Sequence, residues 1–389
     1  MSKKTVKLGN ICTIYTGTGF PTQYQGESSG DFPFYKVGDI SKNVLNGHVY
    51  LTDCDNYISK EIAKKIKGTI VPANTVVFAK IGEAVKLNRR AITSTSCLVD
   101  NNAMGICPDQ SKMLLSYFYH YMCSIKLEKY AEATTVPSVK KSVVENLEIP
   151  QLSIKEQRTI ADTLDEVDSL IFLRKQQLME LNQLVKSRFI ELFSKYESEA
   201  DVTIEEISDM VTVGIANSAT HAYSDSGIIM FRNQNIKEDY LDDGDLIYIL
   251  PSFAEKYKTK RLQENDILVT RTGYPGVACL VPKEYEDSQT FTTLIVRLKT
   301  DSSIVPRYVC SYINSCYGKA FVDEMKVGVA QQNFGAKALA QMPIFIPPLS
   351  EQQAFVAFAE HTDKLKLAVT EALAELETLK KSLMQQYFG

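Results

Sequence analysis

Residues Ile149–Tyr196 read IPQLSIKEQRTIADTLDEVDSLIFLRKQQLMELNQLVKSRFIELFSKY, and the spacing of their apolar side chains decides the fold. These side chains recur at alternating steps of four and three, the heptad pattern of a coiled-coil seam. Ser153, followed three residues later by Glu156, is typical of a capped helix start. The pattern predicts one helix of about 40 residues, a rod of roughly 60 Å. The seam comprises Ile160, Leu164, Val167, Ile171, Leu178, Leu181, Val185 and Leu192, interrupted by Arg174 and Arg188.

The same pattern returns 195 positions later in the chain. Segment Ile149–Gln157 is echoed by Ile346–Gln352, with two residues missing, and Ser350 with Gln353 predicts a second capping box. This start is followed by an equivalent run of apolar and charged residues. With Gln157 set on Gln352, the matched pairs are Asp168 with Asp363, Leu170 with Leu365, Leu178 with Leu373, Leu181 with Leu376, Leu184 with Leu379 and Phe193 with Phe388.

The segments that precede the two helices match each other as well. Both are rich in short β-branched or aromatic runs separated by Gly, Pro and Asn, which is typical of strands joined by turns. Tyr35–Ile40 aligns with Phe231–Ile236, and Val76–Gly82 aligns with Ile267–Gly273. A helix is predicted near Ser111–Lys129 of the first segment.

The sequence therefore predicts an α+β fold made of two tandem mixed, strand-rich domains separated by two long helices. Those helices are expected to form an antiparallel coiled coil with pseudo-twofold symmetry. Because position 389 corresponds to position 194 of the first copy, the C-terminus is expected to lie close to the N-terminal strand. The predicted parts are a first domain at 1–150, a central helix at 151–197, a second domain at 198–347 and a C-terminal helix at 348–389.

Composition and charge limit the location of the protein and its partners. No apolar run reaches the ~18 residues needed to cross a bilayer, so we expect a cytoplasmic protein with no membrane partner. The eight cysteines form no Cys-x-x-Cys pair and are expected to be reduced and mostly buried. Net charge is -4, yet residues 1–150 carry 18 Lys/Arg against 13 Asp/Glu, and residues 201–350 carry 14 against 19. Any affinity for nucleic acid must come from local basic clusters.

Sequence motifs for catalysis or cofactor binding are missing. Gly17-Thr18-Gly19 lacks the later glycine of a dinucleotide- or phosphate-binding loop and is interpreted as a tight turn. There is no Asn/Asp-Pro-Pro-aromatic motif of the kind that amino-methyltransferases use. The acidic run Asp239, Asp242, Asp243, Asp245 lacks the spacing of an EF-hand and is interpreted as a solvated loop. No catalytic, cofactor-binding or metal-binding residue is assigned.

The order of two variable domains, each followed by an Ile-Pro-x-Leu-Ser…Glu-Gln helix start, resembles the specificity subunit of type I restriction-modification enzymes. Segments Tyr35–Ile40 and Lys80–Gly82, with their echoes, add to this resemblance, which covers nearly the whole chain. It implies a non-catalytic subunit whose two target-recognition domains each read one half of a bipartite sequence in double-stranded DNA. Because the two domains differ in sequence, we expect an asymmetric target.

The same resemblance implies partner proteins. In that family the long helices set the spacing of the half-sites and dock two methyltransferase subunits, to which restriction subunits can be added. S-adenosylmethionine is accordingly expected in the methyltransferase, with no cofactor in this chain. A rigid coiled coil suits this role, since two half-sites on one duplex must be read at a fixed separation and phase.

Basic residues are the candidate contacts to DNA. Lys80 and Arg271 occupy matching positions before Gly82 and Gly273, where a strand is predicted to end in a turn and a cation can reach a phosphate or a base edge. The alternative is a solvated charge at the end of the strand, and for the matched pair Lys36 and Arg232 it is a partly structural salt bridge. The remaining candidates are the matched pair Lys36 and Arg232, the cluster Lys86, Arg89 and Arg90 in the first domain, and the cluster Lys256, Lys258, Lys260 and Arg261 in the second.

Two other functions remain open on the sequence alone. One is a coiled-coil adaptor that joins proteins without any role in DNA binding, which the acidic second domain favours. The other is the specificity subunit of a related system in which methyltransferase and nuclease are fused in one partner polypeptide. Salt-sensitive binding of duplex DNA separates DNA recognition from the adaptor, because phosphate contacts weaken steeply as salt rises.

Overall fold

The computed structural model describes residues 4–132, 136–216, 219–300, 303–327 and 333–389. It contains two compact units. Unit 1 comprises Met1–Gln177 with Val369–Gly389, and unit 2 comprises Leu178–Ala368. Each unit holds one strand-rich domain together with a part of each long helix. None of the described helices is long and apolar enough to cross a membrane.

The domain of unit 1 is built from short strands and short helices. Its helices are α1 (Val37–Leu45), α2 (Lys60–Lys65), α3 (Leu115–Ser124) and α4 (Lys141–Glu145), and the first long helix, α5, spans Ile154–Phe193. The strands are β1 (Thr5–Lys7), β2 (Cys12–Thr16), β3 (Phe32–Tyr35), β4 (Tyr50–Leu51), β5 (Tyr57–Ile58), β6 (Val76–Ala79), β7 (Arg90–Thr93), β8 (Leu98–Val99), β9 (Ala103–Pro108) and β10 (Glu148–Pro150).

The main sheet of unit 1 has the strand order β2-β9-β6-β7-β4. Alternate side chains of a strand point to opposite faces, and strand β6 is covered on both. Val76 and Phe78 face the core that includes Tyr117 of α3, whereas Val77 packs with Tyr35 on the other face. A second sheet has the order β5-β3-β8, and β1 pairs antiparallel with β10. The predicted helix near residues 111–129 is confirmed by α3.

Unit 2 is built in the same way from its own segments. Its helices are α6 (Pro251–Glu255), α7 (Pro306–Asn314), α8 (Cys316–Met325), α9 (Ala336–Ala340) and the second long helix, α10 (Leu349–Phe388). The strands are β11 (Val202–Thr203), β12 (Ser208–Val213), β13 (Tyr223–Ser224), β14 (Ile228–Phe231), β15 (Ile236–Lys237), β16 (Tyr240–Leu241), β17 (Ile247–Ile249), β18 (Ile267–Val269), β19 (Ala278–Leu280), β20 (Gln289–Thr290), β21 (Leu294–Leu298) and β22 (Pro343–Ile344).

Strand pairing repeats between the units. The antiparallel order β12-β21-β18-β19 of unit 2 corresponds to β2-β9-β6-β7 of unit 1. A short parallel pair also recurs in both units: Tyr35 of β3 lies opposite Val99 of β8, and Phe231 of β14 lies opposite Thr290 of β20. The internal repeat and the α+β class predicted from the sequence are therefore confirmed at the level of individual strands.

The long helices pack antiparallel in each unit. In unit 1, Lys175 Nζ of α5 lies 3.2 Å from Glu377 Oε1 of α10, and the earlier residue Asp168 pairs with the later residue Lys380. In unit 2 the direction is the same, since Lys195, just after α5, pairs at 3.0 Å with Glu351 at the start of α10. The antiparallel pairing predicted from the heptad seam is confirmed within both units.

The seam departs from the prediction near the end of α5. Leu164, Val167 and Val185 are buried as expected, but the buried row then continues through Phe189 and Phe193 rather than Arg188. The buried positions Val185, Phe189 and Phe193 are four residues apart. A straight helix has 3.6 residues per turn, so its buried face gradually departs from a strict seven-residue repeat. Arg188 lies beside the seam and pairs with Glu191 of its own helix at 2.9 Å, while Arg174 donates to Gln177 at 2.8 Å.

Only one of the two predicted capping boxes forms. At the start of α5, the Glu156 amide donates to Ser153 Oγ at 3.3 Å, and the Ser153 amide donates to Glu156 Oε2 at 2.8 Å. The second box was predicted at Ser350, which is wrong because α10 already begins at Leu349. Ile154 and Leu349 are 195 residues apart, so the two helices begin at matching positions, and the two missing residues shift Ser350 into the first turn of α10.

The C-terminus packs into the core of unit 1. The ring of Phe388 lies 5.4 Å from Tyr117 and 5.9 Å from Tyr121, in the cluster that also holds Val6 of β1. The prediction that the C-terminus lies close to the N-terminal strand is confirmed. Its repeat-matched residue, Phe193, occupies the core of unit 2, 5.1 Å from Tyr308.

A buried glutamine fixes each domain to its helix start. In unit 1, the Leu114 amide donates to Gln157 Oε1 at 2.8 Å, and Gln157 Nε2 donates to the Lys112 carbonyl at 3.0 Å. In unit 2, the Val305 amide donates to Gln352 Oε1 at 3.0 Å. Gln157 is 1% exposed and Gln352 is fully buried, so neither amide exchanges its protein partners for water.

Replacing Gln157 or Gln352 with leucine is expected to destabilise the protein by roughly 2 to 4 kcal/mol each. The substitution leaves a partly buried backbone amide and a carbonyl without their side-chain partner, and each such group costs about 1 to 3 kcal/mol. Calorimetric unfolding of the full chain measures the effect. Gln183→Leu on the exposed face of α5 is the matched control and should stay within about 0.5 kcal/mol. Equal losses in all three variants would contradict the role of the buried amides.

Candidate nucleic-acid interface

The loop that follows β6 in unit 1, residues 80–87, is called loop 1. The amide of Lys80 donates to the Asn102 carbonyl at 2.7 Å, and the Val139 amide donates to the Lys80 carbonyl at 2.9 Å. Gly82 has φ +80°, a left-handed conformation that glycine adopts without strain. Its amide donates to the Pro137 carbonyl at 2.8 Å. The loop backbone is therefore fixed, while the half-exposed Lys80 side chain forms no ion pair within the described part of the chain.

The loop that follows β18 in unit 2, residues 271–277, is called loop 2 and has the same frame. The Phe334 amide donates to the Arg271 carbonyl at 2.9 Å, as Val139 does to Lys80. Gly273 also has φ +80°. The guanidinium of Arg271 is oriented by one bond, from Nε to Asn333 Oδ1 at 3.0 Å. Among the described residues no partner of its terminal nitrogens is found, and a phosphate or a base edge is the kind of group that arginine binds best.

The matched pair Lys36 and Arg232 is partly engaged in structural contacts. Lys36 Nζ donates to Gln25 Oε1 at 2.6 Å and lies over the ring of Phe20. Arg232 Nη2 pairs with Asp245 at 2.8 Å, and its side chain is 26% exposed. These contacts fit the alternative of a structural salt bridge, and any contact to DNA would have to replace or share them.

The basic cluster of unit 1 divides between the surface and the core. Lys86 is exposed and pairs with Glu83 at 2.8 Å, and Arg89 is half-buried. Arg90 is 2% exposed: its guanidinium lies 4.9 Å from the ring of Phe78 and donates to Asn88 Oδ1 at 2.8 Å. Burial lowers the pKa of Arg90 to about 10, which leaves it charged at neutral pH. The buried Arg90 side chain cannot reach a phosphate, so the prediction that Arg90 contacts DNA is not supported.

The basic cluster of unit 2 is also divided. Lys260 Nζ donates to the carbonyls of Val213 and Gly214 at 2.8 Å, which ties it to the end of β12. Arg261 is 33% exposed and pairs with Glu255 at 2.8 Å. Lys256 and Lys258 are the exposed members, and Lys258 has only a long contact of 3.9 Å to Glu255. These two remain candidates for phosphate contact, because exposed ion pairs contribute only ~0 to 1 kcal/mol and exchange readily.

The acidic residues of unit 2 mark a face that disfavours DNA. A groove of about 450 Å³ is lined by six carboxylates, against the single guanidinium of Arg307. Burial raises the pKa of Asp239 even though Arg307 lies 3.4 Å away, so Asp239 is not part of a solvated loop as interpreted from the sequence. A phosphate backbone would be repelled here. The groove carboxylates are Asp239, Asp243, Glu264, Glu284, Glu360 and Asp363.

Neither cysteine nor carboxylate chemistry suggests a further centre. All eight cysteines are free; Cys316 is exposed and the others are buried or half-buried. Among the described residues, no group of three or more His, Cys, Asp or Glu side chains is placed to hold a metal ion.

Sequence reasoning missed the polar and aromatic residues that complete loop 2. Asn233 Nδ2 donates to Thr272 Oγ1 at 2.8 Å, and Asn333 orients Arg271. Tyr274 at the loop tip is 85% exposed, the largest exposed fraction among the large apolar side chains described. The available signal was the Gly-Tyr-Pro-Gly turn at 273–276, which places an aromatic ring between two glycines.

Comparison with known families decides the identity of this architecture. Residues 2–183 and 199–378 each match the family described as the type I restriction modification DNA specificity domain. The chain belongs to this family. The resemblance inferred from the sequence is thereby confirmed, and two such domains in one chain fit recognition of a bipartite target.

Individual relatives and a solved structure agree with the family. The specificity subunit of the type I restriction enzyme EcoKI from Escherichia coli K12 is 19% identical, covering 90% of this chain and 80% of that protein. The MjaVIII specificity subunit of Methanocaldococcus jannaschii is 21% identical, covering 98% and 91%. The crystal structure of a type I restriction-modification S subunit from M. genitalium shares the fold, with a TM-score of 0.57 at 13% identity over 100% of this chain and 96% of that one.

Arg90→Ala is expected to destabilise the protein, whereas Lys86→Ala is not. Lys86→Ala should leave the free energy of unfolding within about 0.5 kcal/mol, because its ion pair is exposed. Arg90→Ala should cost roughly 2 to 4 kcal/mol, since it removes a buried side chain from the ring of Phe78 and leaves hydrogen-bond acceptors unpaired. Chemical denaturation of both variants tests this. Similar unfolding energies for the two would contradict the division of the cluster.

Proposed function

We propose that this DNA specificity protein acts as a non-catalytic subunit of a type I restriction-modification enzyme. Each recognition domain reads one half of an asymmetric, bipartite sequence in double-stranded DNA. Helices α5 and α10 set the separation of the half-sites and dock two methyltransferase subunits, to which restriction subunits can be added. S-adenosylmethionine is bound by those methyltransferases. A fused methyltransferase-nuclease partner would use the same surfaces.

The observation that carries this proposal is the repetition of one recognition loop on two domains. Lys80 and Arg271 follow equivalent strands, precede glycines with the same φ, and are held by equivalent backbone bonds from Val139 and Phe334. A cation fixed at the same place in both domains supports two equivalent approaches to a DNA backbone. The side chains around the two loops differ, which supports different half-sites.

Matched leucines on the long helices support the docking of two equal partners. Leu170 and Leu379 of unit 1 are 39% and 46% exposed. The register set by the Asp168–Lys380 pair places them at similar levels along the antiparallel helices. Their repeat-matched residues in unit 2, Leu365 and Leu184, are 44% and 48% exposed. Apolar side chains that are exposed at equivalent positions of both units are typical of a binding surface that occurs twice.

Lys80→Ala is expected to weaken DNA binding and to flatten its dependence on salt. Each phosphate contact contributes about 0.9 to the slope of log K against log salt, so loss of one contact should lower the slope by about that amount. Fluorescence anisotropy of the chain assembled with its methyltransferase, titrated between about 50 and 200 mM salt, measures the slope. Arg271→Ala should have the same effect through unit 2.

The control for this measurement is Lys112→Ala. Lys112 is exposed, but it lies beside Gln157 at the start of α5, away from loop 1. Sequencing of adenine methylation in cells gives an independent readout, because a gapped two-part motif should appear with the wild-type chain and lose occupancy with Lys80→Ala. The absence of salt-sensitive DNA binding, or no motif despite assembly with the methyltransferase, would favour the protein-only adaptor.

Leu170→Glu and Leu365→Glu are each expected to remove one methyltransferase from the complex, and the double variant both. A carboxylate in an apolar contact is desolvated without a partner, which costs several kcal/mol. Native mass spectrometry of the assembled complex counts the subunits. Thr159→Glu, at an exposed position of α5, serves as the control and should keep full occupancy. Unchanged stoichiometry in the double variant would rule out this docking surface.

A further inference from the structure

Loops 1 and 2 share the same backbone frame up to the glycine, and the residue that follows the glycine is exposed in both. Isolated antiparallel bridges join Ile81 to Ser138 in unit 1 and Thr272 to Asn333 in unit 2, one residue before the glycine in each case. A Cβ added to Gly82 or Gly273 would meet nothing within 4 Å, so glycine is required there for its backbone conformation rather than for space. The next residue is Glu83 in unit 1 and Tyr274 in unit 2.

Both side chains stand in solvent. The side chain of Glu83 is 78% exposed, and Tyr274 is 85% exposed. The contact of Glu83 to Lys86 is an exposed ion pair, which contributes only ~0 to 1 kcal/mol and does not hold the carboxylate in place. Neither residue contributes a side chain to the core of its domain. Their positions are therefore free to serve recognition.

The backbone of Tyr274 is held rigidly despite the exposure of its ring. Thr270 Oγ1 donates to the Tyr274 carbonyl at 2.6 Å and accepts from the Val277 amide at 2.9 Å. The Tyr274 amide donates to the Thr272 carbonyl at 3.1 Å. A large ring on an ordered loop loses little conformational entropy on binding, which is why tyrosine is frequent at the centre of interfaces. An exposed apolar ring on a fixed backbone indicates a contact surface.

We infer that the residue after the loop glycine, Glu83 in unit 1 and Tyr274 in unit 2, reads one base of its half-site from a DNA groove. This inference rests on the proposed function, and DNA is favoured over a protein partner because Lys80 and Arg271 lie three residues earlier on the same loops. The cations position the loop on phosphates, and the tip reaches the base edges.

The two side chains select different bases by ordinary groove chemistry. In the major groove a carboxylate accepts from the amino group of cytosine, so Glu83 selects cytosine in the first half-site. The ring of Tyr274 packs against the methyl group of thymine and selects thymine in the second half-site. Bases without these groups leave a desolvated carboxylate or an empty apolar contact, which gives a discrimination of roughly 10- to 100-fold.

The test is the methylation motif of the assembled complex with Glu83→Gln and with Tyr274→Glu. An amide pairs with adenine rather than cytosine, so Glu83→Gln should change one position of the first half-site toward adenine and leave the second half unchanged. Tyr274→Glu should change one position of the second half-site only, from thymine toward cytosine. Single-molecule sequencing of cells carrying the methyltransferase and each variant reports every position at once.

Matched controls are Glu61→Gln on α2 and Tyr240→Glu at the acidic groove, both exposed and both expected to keep the wild-type motif. Circular dichroism checks that all four variants remain folded. If both variants keep the wild-type motif, the inference alone is overturned. The same holds if methylation falls uniformly at all sites, because such a loss shows no selection between bases. A wild-type chain that yields no gapped motif overturns the proposed function as well.

Discussion

The architecture of each unit depends on one buried amide. Helices α3 and α7 begin at residues whose own side chains provide no cap, and the missing acceptor comes from Gln157 or Gln352 in the first turn of a long helix. Because an amide donates and accepts at once, it binds the domain at two points and fixes the angle at which the domain leaves the helix. A recognition surface carried on such a domain can then hold a constant position along the helix axis.

The repeat could be predicted from the sequence because helix starts and heptads leave long, regular signals. Matching Gln157 to Gln352 predicted the antiparallel helices and the packing of Phe388 near the N-terminal strand, and the structure confirms both. The predictions of the second helix cap and of the last part of the seam were wrong. Two missing residues placed Ser350 inside the first turn of α10, and the straight-helix period replaced the heptad at Phe189. Such shifts depend on packing against the domain, which a one-dimensional pattern does not contain.

The candidate site was less accessible to sequence reasoning, because charge density does not show which way a side chain points. Arg89 and Arg90 are adjacent in sequence at the start of a strand, and neighbours on a strand face opposite sides. One of the two must turn inward, and Arg90 packs on Phe78. A pattern of basic residues does not indicate Tyr274 either, because Tyr274 is singled out by its exposure on a rigid turn and not by charge.

The residues that stabilise loops 1 and 2 differ from the residues that we infer to read DNA. The glycine conformation and the bridges to Ser138 and Asn333 are the same in both units, and they involve backbone atoms that accept any neighbouring side chain. Glu83 and Tyr274 make no core contact, so exchanging them alters what the loop can bind with little effect on folding. Changes to the loop backbone are expected to destabilise the protein much more, because the loops continue the buried strands β6 and β18. Selection for a new DNA target can therefore act on the tips, while the helices and their docking surfaces stay unchanged.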